Sequence, residues 1–337
     1  MNLNAALQWT GDEQLLLNLV RLRYRDTPAF LEVSSISTQL RLEASLQVGA
    51  DLERNNVVSD LFRFLGTTGY STQPTLTYTP LQGENLAQRL LSPLTLEKLV
   101  LLHQSGWNVR RLFRLCVQRL GDVPNAPRAS GPTPEEAPEY KEFARVLELL
   151  RQLERKDALK LGYESYPPDD GRPRPVLQVS PRALQYRETQ ELLQILRLTP
   201  GGTHYPLVYP VARHALPGNG DSLAVETRSL LGMLYYLAQA VEVPDQDRHK
   251  GKVIVTRDDA GEPFDWNKVL GNSLMVRSQP FKPAEAATAV RYRGMWFYID
   301  DADLESKATF SILSQIFALQ AGKSEAIIPV LTLPIGR

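Results

Sequence analysis

Residues 286–333, AATAVRYRGMWFYIDDADLESKATFSILSQIFALQAGKSEAIIPVLTL, carry the clearest succession of structural signals in the chain. Val290 and Tyr292 alternate with Ala289, Arg291 and Arg293, and after Gly294 the run Trp296-Phe297-Tyr298-Ile299 resumes with the aromatic and β-branched residues that suit a pleated surface. Arg293-Gly294 between the two runs predicts a tight hairpin or a bulge. Leu304, Phe310, Leu313, Phe317 and Leu319 then recur at helical spacing, widened by Ile312 and Ile316. Asp303 is placed to cap that helix, Glu305 suits the positive end of its dipole, and Gly322-Lys323 is a stop signal. Ala326–Leu333 reads as an apolar closing strand, in which Pro329 favours an edge or bulge position because it has no N–H for a ladder. The stretch predicts strand, strand, helix, strand. With the helices and strands upstream, it points to an α+β fold of mixed or antiparallel sheets and packed helices.

Upstream, the most apolar segment is 222–241, expected as one buried helix capped by Asp221 or Ser222 and halted before Pro244. Residues 252–257 and 274–279 read as strands, with turn chemistry at Asp258-Asp259-Ala260-Gly261. Residues 182–198 and 139–156 read as helices, 176–179 as a strand, and 199–221 is too rich in Gly and Pro to assign. Helices are expected over 85–91, 95–104 and 108–120, the last two meeting at a corner around Gly106, with Asn108 as an N-cap. At the N-terminal end, Leu15, Leu16, Leu19 and Leu22 predict an amphipathic helix over 12–25 ended by Pro28. A long antiparallel strand follows, in which Leu40, Leu42, Ala44, Leu46 and Val48 alternate with Gln39, Arg41, Glu43, Ser45 and Gln47. A short helix is expected over 57–65 and a strand over 75–79. The proline-rich stretch 122–138 is the expected linker between an N-terminal α+β domain, 1–121, containing the helical hairpin, and a C-terminal one, 139–337.

Lysine plus arginine, 38, balance aspartate plus glutamate, 38, so no overall field draws in nucleic acid or an anionic membrane. The one cysteine, Cys116, sits among Leu112, Phe113, Leu115 and Val117 and is expected to be a buried, inert thiol. No run of 18 or more apolar residues suggests a spanning helix, and the first twenty residues show no signal-peptide pattern. The four histidines, His103, His204, His214 and His249, lack the spacing of common zinc sites, and no nucleophile elbow, phosphate loop or dinucleotide fingerprint is present. No cofactor, metal or catalytic residue is therefore assigned.

Three functional readings remain. The favoured one is a non-enzymatic structural or assembly protein acting through protein contacts or self-association, with Arg110, Arg111, Arg114, Arg291 and Arg293 as the possible contact surface. An enzyme assembled from the 199–221 passage would draw on His204, Tyr205, Tyr209 and His214. A single-stranded nucleic-acid binder would use Arg291, Arg293, Trp296 and Tyr298.

Three phrases carry a family resemblance: EQLLLNLVRLRYRDTP at 13–28 with FLEV at 30–33, PTLTYTPL at 74–81, and WFYIDD at 296–301. In these the chain resembles a family of uncharacterised bacterial envelope proteins, many with a lipoprotein-type export signal. The resemblance implies an envelope or periplasmic location and no assigned activity. The sequence itself shows neither the signal nor a lipidated cysteine, so membrane attachment would need an anchor outside it, and a cytoplasmic location is the alternative.

Overall fold

In a computed structural model, which describes residues 3–43, 69–80, 84–164, 173–210 and 220–321, the chain forms two compact units: Met1–Pro28 together with Gly83–Arg337, and Ala29–Gln82. The expected closing strand at 326–333, the Gly322-Lys323 stop and the helix over 57–65 lie outside the described residues.

The larger unit is α+β. Helix α1 (Leu3–Arg23) runs further N-terminal than its apolar pattern indicates. It ends in a left-handed Arg25, φ 59°, with Asp26 N–H donating to Arg21 O and Arg25 N–H to Leu22 O, the paired bonds of a Schellman stop. Helices α2 (Glu84–Leu91), α3 (Leu96–Gln104) and α4 (Val109–Cys116) follow. Thr95 and Asn108 cap α3 and α4 by accepting from the N–H groups of Lys98 and Arg111.

A six-stranded mixed sheet comes next, in the order β4-β3-β8-β7-β6-β5. Its strands are β3 (Val117–Leu120), β4 (Val123–Pro124), β5 (Leu159–Glu164), β6 (Arg174–Val179), β7 (His204–Val208) and β8 (Leu223–Thr227). Only β7 and β8 pair in parallel. Helix α5 (Lys141–Arg155) packs on β4 and β5, α3 on β5 and β6, and α6 (Arg187–Ile195) on α5.

Helix α7 (Leu230–Ala238) is the centre of the unit, in contact with α1, α2, α4 and the 3-10 turn Pro127–Ser130. Two short helices, α8 (Asp245–His249) and α9 (Asn267–Leu270), lead to a second sheet of order β10-β11-β9. It is made of β9 (Arg277–Gln279), β10 (Ala286–Tyr292) and β11 (Met295–Asp300). Arg293 and Gly294, φ 50° and 86°, make the β10–β11 turn, two consecutive positive φ values as a type I′ hairpin requires. Asp303 caps α10 (Leu304–Ala321) as expected, accepting from both the N–H and the hydroxyl of Ser306.

Several expectations change against this structure. The helix expected over 222–241 is a strand followed by a helix. Leu223, Val225 and Thr227 are buried at every second position in β8, and the helix begins only after Ser229, whose hydroxyl accepts from Gly232 N–H. The helix expected over 108–120 stops at Cys116 because Val117–Leu120 pair with β8. The unassigned passage 199–221 contains β7, and Leu159–Glu164 forms β5 in a hairpin with β6. Of the strands expected at 252–257 and 274–279, only Arg277–Gln279 is a strand. The stretch 122–138 is packed rather than a free linker: Val123, Asn125, Ala126, Ala129 and Thr133 are all buried. The division between the two compact units falls at 28–29 and 82–83.

Cys116 is fully buried, and burial pushes its thiol up to about 12. A thiol reagent is expected to leave the native protein unlabelled and to modify one group per chain once denaturant is added. Labelling of the native protein at the denatured rate would contradict this burial.

Candidate functional site

Each arginine singled out from sequence has a position in the larger unit. Arg110, half exposed, faces Glu148 across 3.8 Å, a surface ion pair worth little. Arg111 is turned inward to α10, donating to Glu305 Oε2 at 2.5 Å, Glu305 O at 2.9 Å and Thr309 Oγ1 at 2.6 Å. Arg114 donates to Leu270 O and fills the space over Gly271, φ 59°, where an added Cβ would overlap the guanidinium. Arg293 bonds Asp26 at 2.8 Å and lies 4.9 Å over the ring of Tyr24. Arg291 is exposed and stands opposite Trp296 in register. Three of the five are thus internal ties between elements.

Of the residues proposed for an enzyme in the 199–221 passage, His204, Tyr205 and Tyr209 are described. His204 is exposed, while Tyr205 is buried and donates to Thr199 O at 2.7 Å. Tyr209 accepts from Leu96 N–H, and His214 lies outside the described residues. On β10–β11, Arg291 and Trp296 are cross-strand partners, as are Ala289 and Tyr298, whereas Arg293 turns away to Asp26.

A group of interacting side chains sits at the end of α1. Tyr24 donates to Asp247 Oδ2 at 2.8 Å, Lys252 reaches Asp247 Oδ1 at 2.5 Å, and Tyr292 and Arg293 both bond Asp26. The Lys252 ammonium holds the Asp247 carboxyl below the usual range. Burial would raise Asp26, but the bonds from Tyr292 and Arg293 outweigh it and the net shift is downward. Beside this group an open cavity of about 250 Å³ is lined by Arg23, Gln239 and Trp266. Arg23 Nε, Gln239 Oε1 and Trp266 Nε1 are buried there and make no hydrogen bond.

A carboxylate depressed by folding stabilises the native state above its unfolded pKa, about 3.9, and that contribution is lost as the pH falls through the folded value. Asp247→Asn is therefore expected to flatten the acid limb of the stability curve below about pH 4, read from urea midpoints. An unchanged acid limb would remove Asp247 from the set of groups that titrate on unfolding.

The smaller unit offers a different kind of surface. Strands β1 (Leu31–Glu43) and β2 (Gly69–Pro80), of 13 and 12 residues, form an antiparallel two-stranded sheet. Strands in globular proteins cluster near 5–6 residues, and a two-stranded sheet alone is marginal in water. The register pairs Ile36 with Leu76, Leu40 with Thr72 and Leu42 with Tyr70, and in the alternate pairs Ser37 with Thr75, Gln39 with Gln73 and Arg41 with Ser71. The alternations of the two strands are therefore in phase, and one face of the sheet collects the apolar positions.

A register shift between Val33 and Ser35 preserves that phase. The apolar positions of β1 change parity there, from Leu31 and Val33 to Ile36, Leu40 and Leu42, and the extra residue of a bulge absorbs the change. Among the described residues, neither outer edge of this sheet is paired. Comparison with protein-family models, with curated proteins and with solved structures finds no match for the chain.

Proposed function

We propose that this protein is a non-enzymatic assembly protein whose copies associate through the β1–β2 hairpin, acting at the bacterial cell envelope. One observation carries the reading: a long two-stranded sheet with in-phase alternation and both edges unpaired among the described residues. Such edges are templates for further strands, and proteins that keep them apart blunt them with short or covered edges. Neither strand here is short. A second copy brings strands of the same length and alternation, so edge-to-edge pairing continues both the ladder and the apolar face. The envelope location draws on the resemblance carried by residues 13–33, 74–81 and 296–301. No described helix is long and apolar enough to cross a membrane.

Light scattering on the full chain, beside a variant in which a Gly/Ser linker replaces 29–82, tests the reading. The full chain is expected to form a defined oligomer. The variant is expected to be a monomer that keeps the thermal transition of the larger unit. A full chain that stays monomeric at every accessible concentration, with or without vesicles, contradicts the proposal.

A further inference from the structure

Resting on that assembly reading, we infer that the β1–β2 hairpins of associated copies close into a transmembrane β-barrel, with the apolar column of each hairpin against lipid and the polar column lining the interior.

Length is the first support. At about 3.3 Å per residue, strands of 12–13 residues extend roughly 40 Å, and at a barrel tilt near 40° they rise about 30 Å, the thickness of a bilayer hydrocarbon core. A spanning strand needs only about 9–11 residues.

Composition by column is the second. The pleat and the register place Leu31, Val33, Ile36, Leu40 and Leu42 of β1, with Thr38 among them, in one column with Tyr70, Leu76, Tyr78 and the smaller Thr72, Pro74 and Pro80 of β2. The other column holds Glu32, Ser35, Ser37, Gln39, Arg41 and Glu43, and its β2 members are Gly, Ser, Gln and Thr alone. An ordinary half-buried sheet tolerates a few apolar residues on its wet face, but this column has none. A barrel wall with lipid on one side and water on the other demands that strictness along the whole strand. The bulge at Val33/Ser35 maintains the columns where the sequence would otherwise exchange them.

The third support is the position of the tyrosines. Tyr70 and Tyr78 both belong to the apolar column, near opposite ends of β2. Aromatic residues at both ends of a lipid-facing band are the girdle of membrane barrels, where an apolar ring with a polar tip suits the interface.

Closure also accounts for the edges. In hydrocarbon every backbone N–H and C=O needs a partner, so a lone hairpin cannot span a membrane, whereas a ring of hairpins leaves no edge. The copies are thus the required edge partners, and the bilayer is the partner of the apolar face.

Dye release from vesicles of phosphatidylethanolamine and phosphatidylglycerol tests the inference, using the full chain, Leu40→Arg and Gln39→Arg, with cross-linking on the same vesicles. Leu40 and Gln39 are neighbours in sequence and lie in opposite columns. The full chain and Gln39→Arg are expected to release dye. Leu40→Arg is expected to lose at least about tenfold, since a charged side chain on the lipid face of each copy must sit in hydrocarbon. Cross-linked oligomers that release no dye would overturn the barrel while leaving the assembly reading intact, and so would Leu40→Arg acting as well as the full chain. Monomers alone on the cross-linking gel would overturn both.

Discussion

Replacing Arg228 by Met is expected to lower the thermal midpoint of the larger unit by about 10 °C, from a loss on the order of 4 kcal/mol. Arg228 is 1% exposed, and its hydrogen bonds go to neutral oxygens rather than to a carboxylate. Its Nη1 donates to the carbonyls of Arg114 and Leu115 at 3.2 Å and of Val117 at 2.6 Å, Nη2 to Asn125 O, and Nε to Ser130 Oγ at 3.0 Å.

The Arg114 and Leu115 carbonyls belong to the last turn of α4, the negative end of the helix dipole, and the carbonyls of Arg114 and Val117 also accept from Asn125 Nδ2 at 3.0 and 2.6 Å. The ring of Tyr236 on α7, 4.0 Å from the guanidinium, completes the compensation. Burial pushes the Arg228 pKa down to about 10, so the group stays charged at neutral pH.

Methionine fills similar volume but takes the guanidinium's donors from these buried oxygens, leaving Arg114 O and Val117 O only Asn125 Nδ2, and a buried acceptor that loses its donor costs about 1–3 kcal/mol. Lysine is expected to recover little, because a compact ammonium with three donors cannot span acceptors that the planar guanidinium reaches together. Thermal unfolding of the three proteins checks this. A midpoint within a degree or two of the parent for Arg228→Met would show that α4, β3 and the 122–138 segment are joined some other way.

Phe297→Ala is expected to cost about 3–5 kcal/mol, against less than about 1 kcal/mol for Trp296→Ala next to it. Phe297 is fully buried opposite Val290 and meets Tyr24 edge to face, ring centroids 6.3 Å apart, so its removal opens a cavity where α1 packs on the second sheet. Trp296 belongs to the alternate column with Arg291 and is only partly covered. Urea unfolding of the two variants measures the contrast. Equal losses would mean that the pleat of β11 is not the one described.

The C-terminal hairpin and α10 were legible because three independent local signals agree there: alternation, a turn pair able to hold positive φ, and an Asp cap. Asn108 was legible for the same chemical reason. Strands β3 and β8 were not, because each abuts a helix inside one apolar run, and a short buried strand in such a run has no periodicity that separates it from helix. Arg228 and Thr133 carry no sequence signal of burial, since an isolated arginine or threonine ordinarily reads as surface. That is why 122–138 read as a linker although Asn125 O and Ser130 Oγ anchor a buried cation.

The hairpin was half legible. Alternation is plain in the sequence over 39–48, of which 39–43 belong to β1, but the pairing with β2 and the bulge that keeps both strands in phase depend on register, which only the structure supplies. The expectation that nothing spans a membrane rested on the length of an apolar helix, a criterion that an alternating strand never meets.

Amide hydrogen exchange across 31–43 and 69–80, followed by mass spectrometry as the protein concentration is raised, tests most directly whether the hairpin edges pair between copies. The expected result is protection in β1 and β2 that rises with concentration while protection in α7 and β8 stays constant. Exchange in the hairpin that is the same at every concentration, in solution and on vesicles, would contradict it.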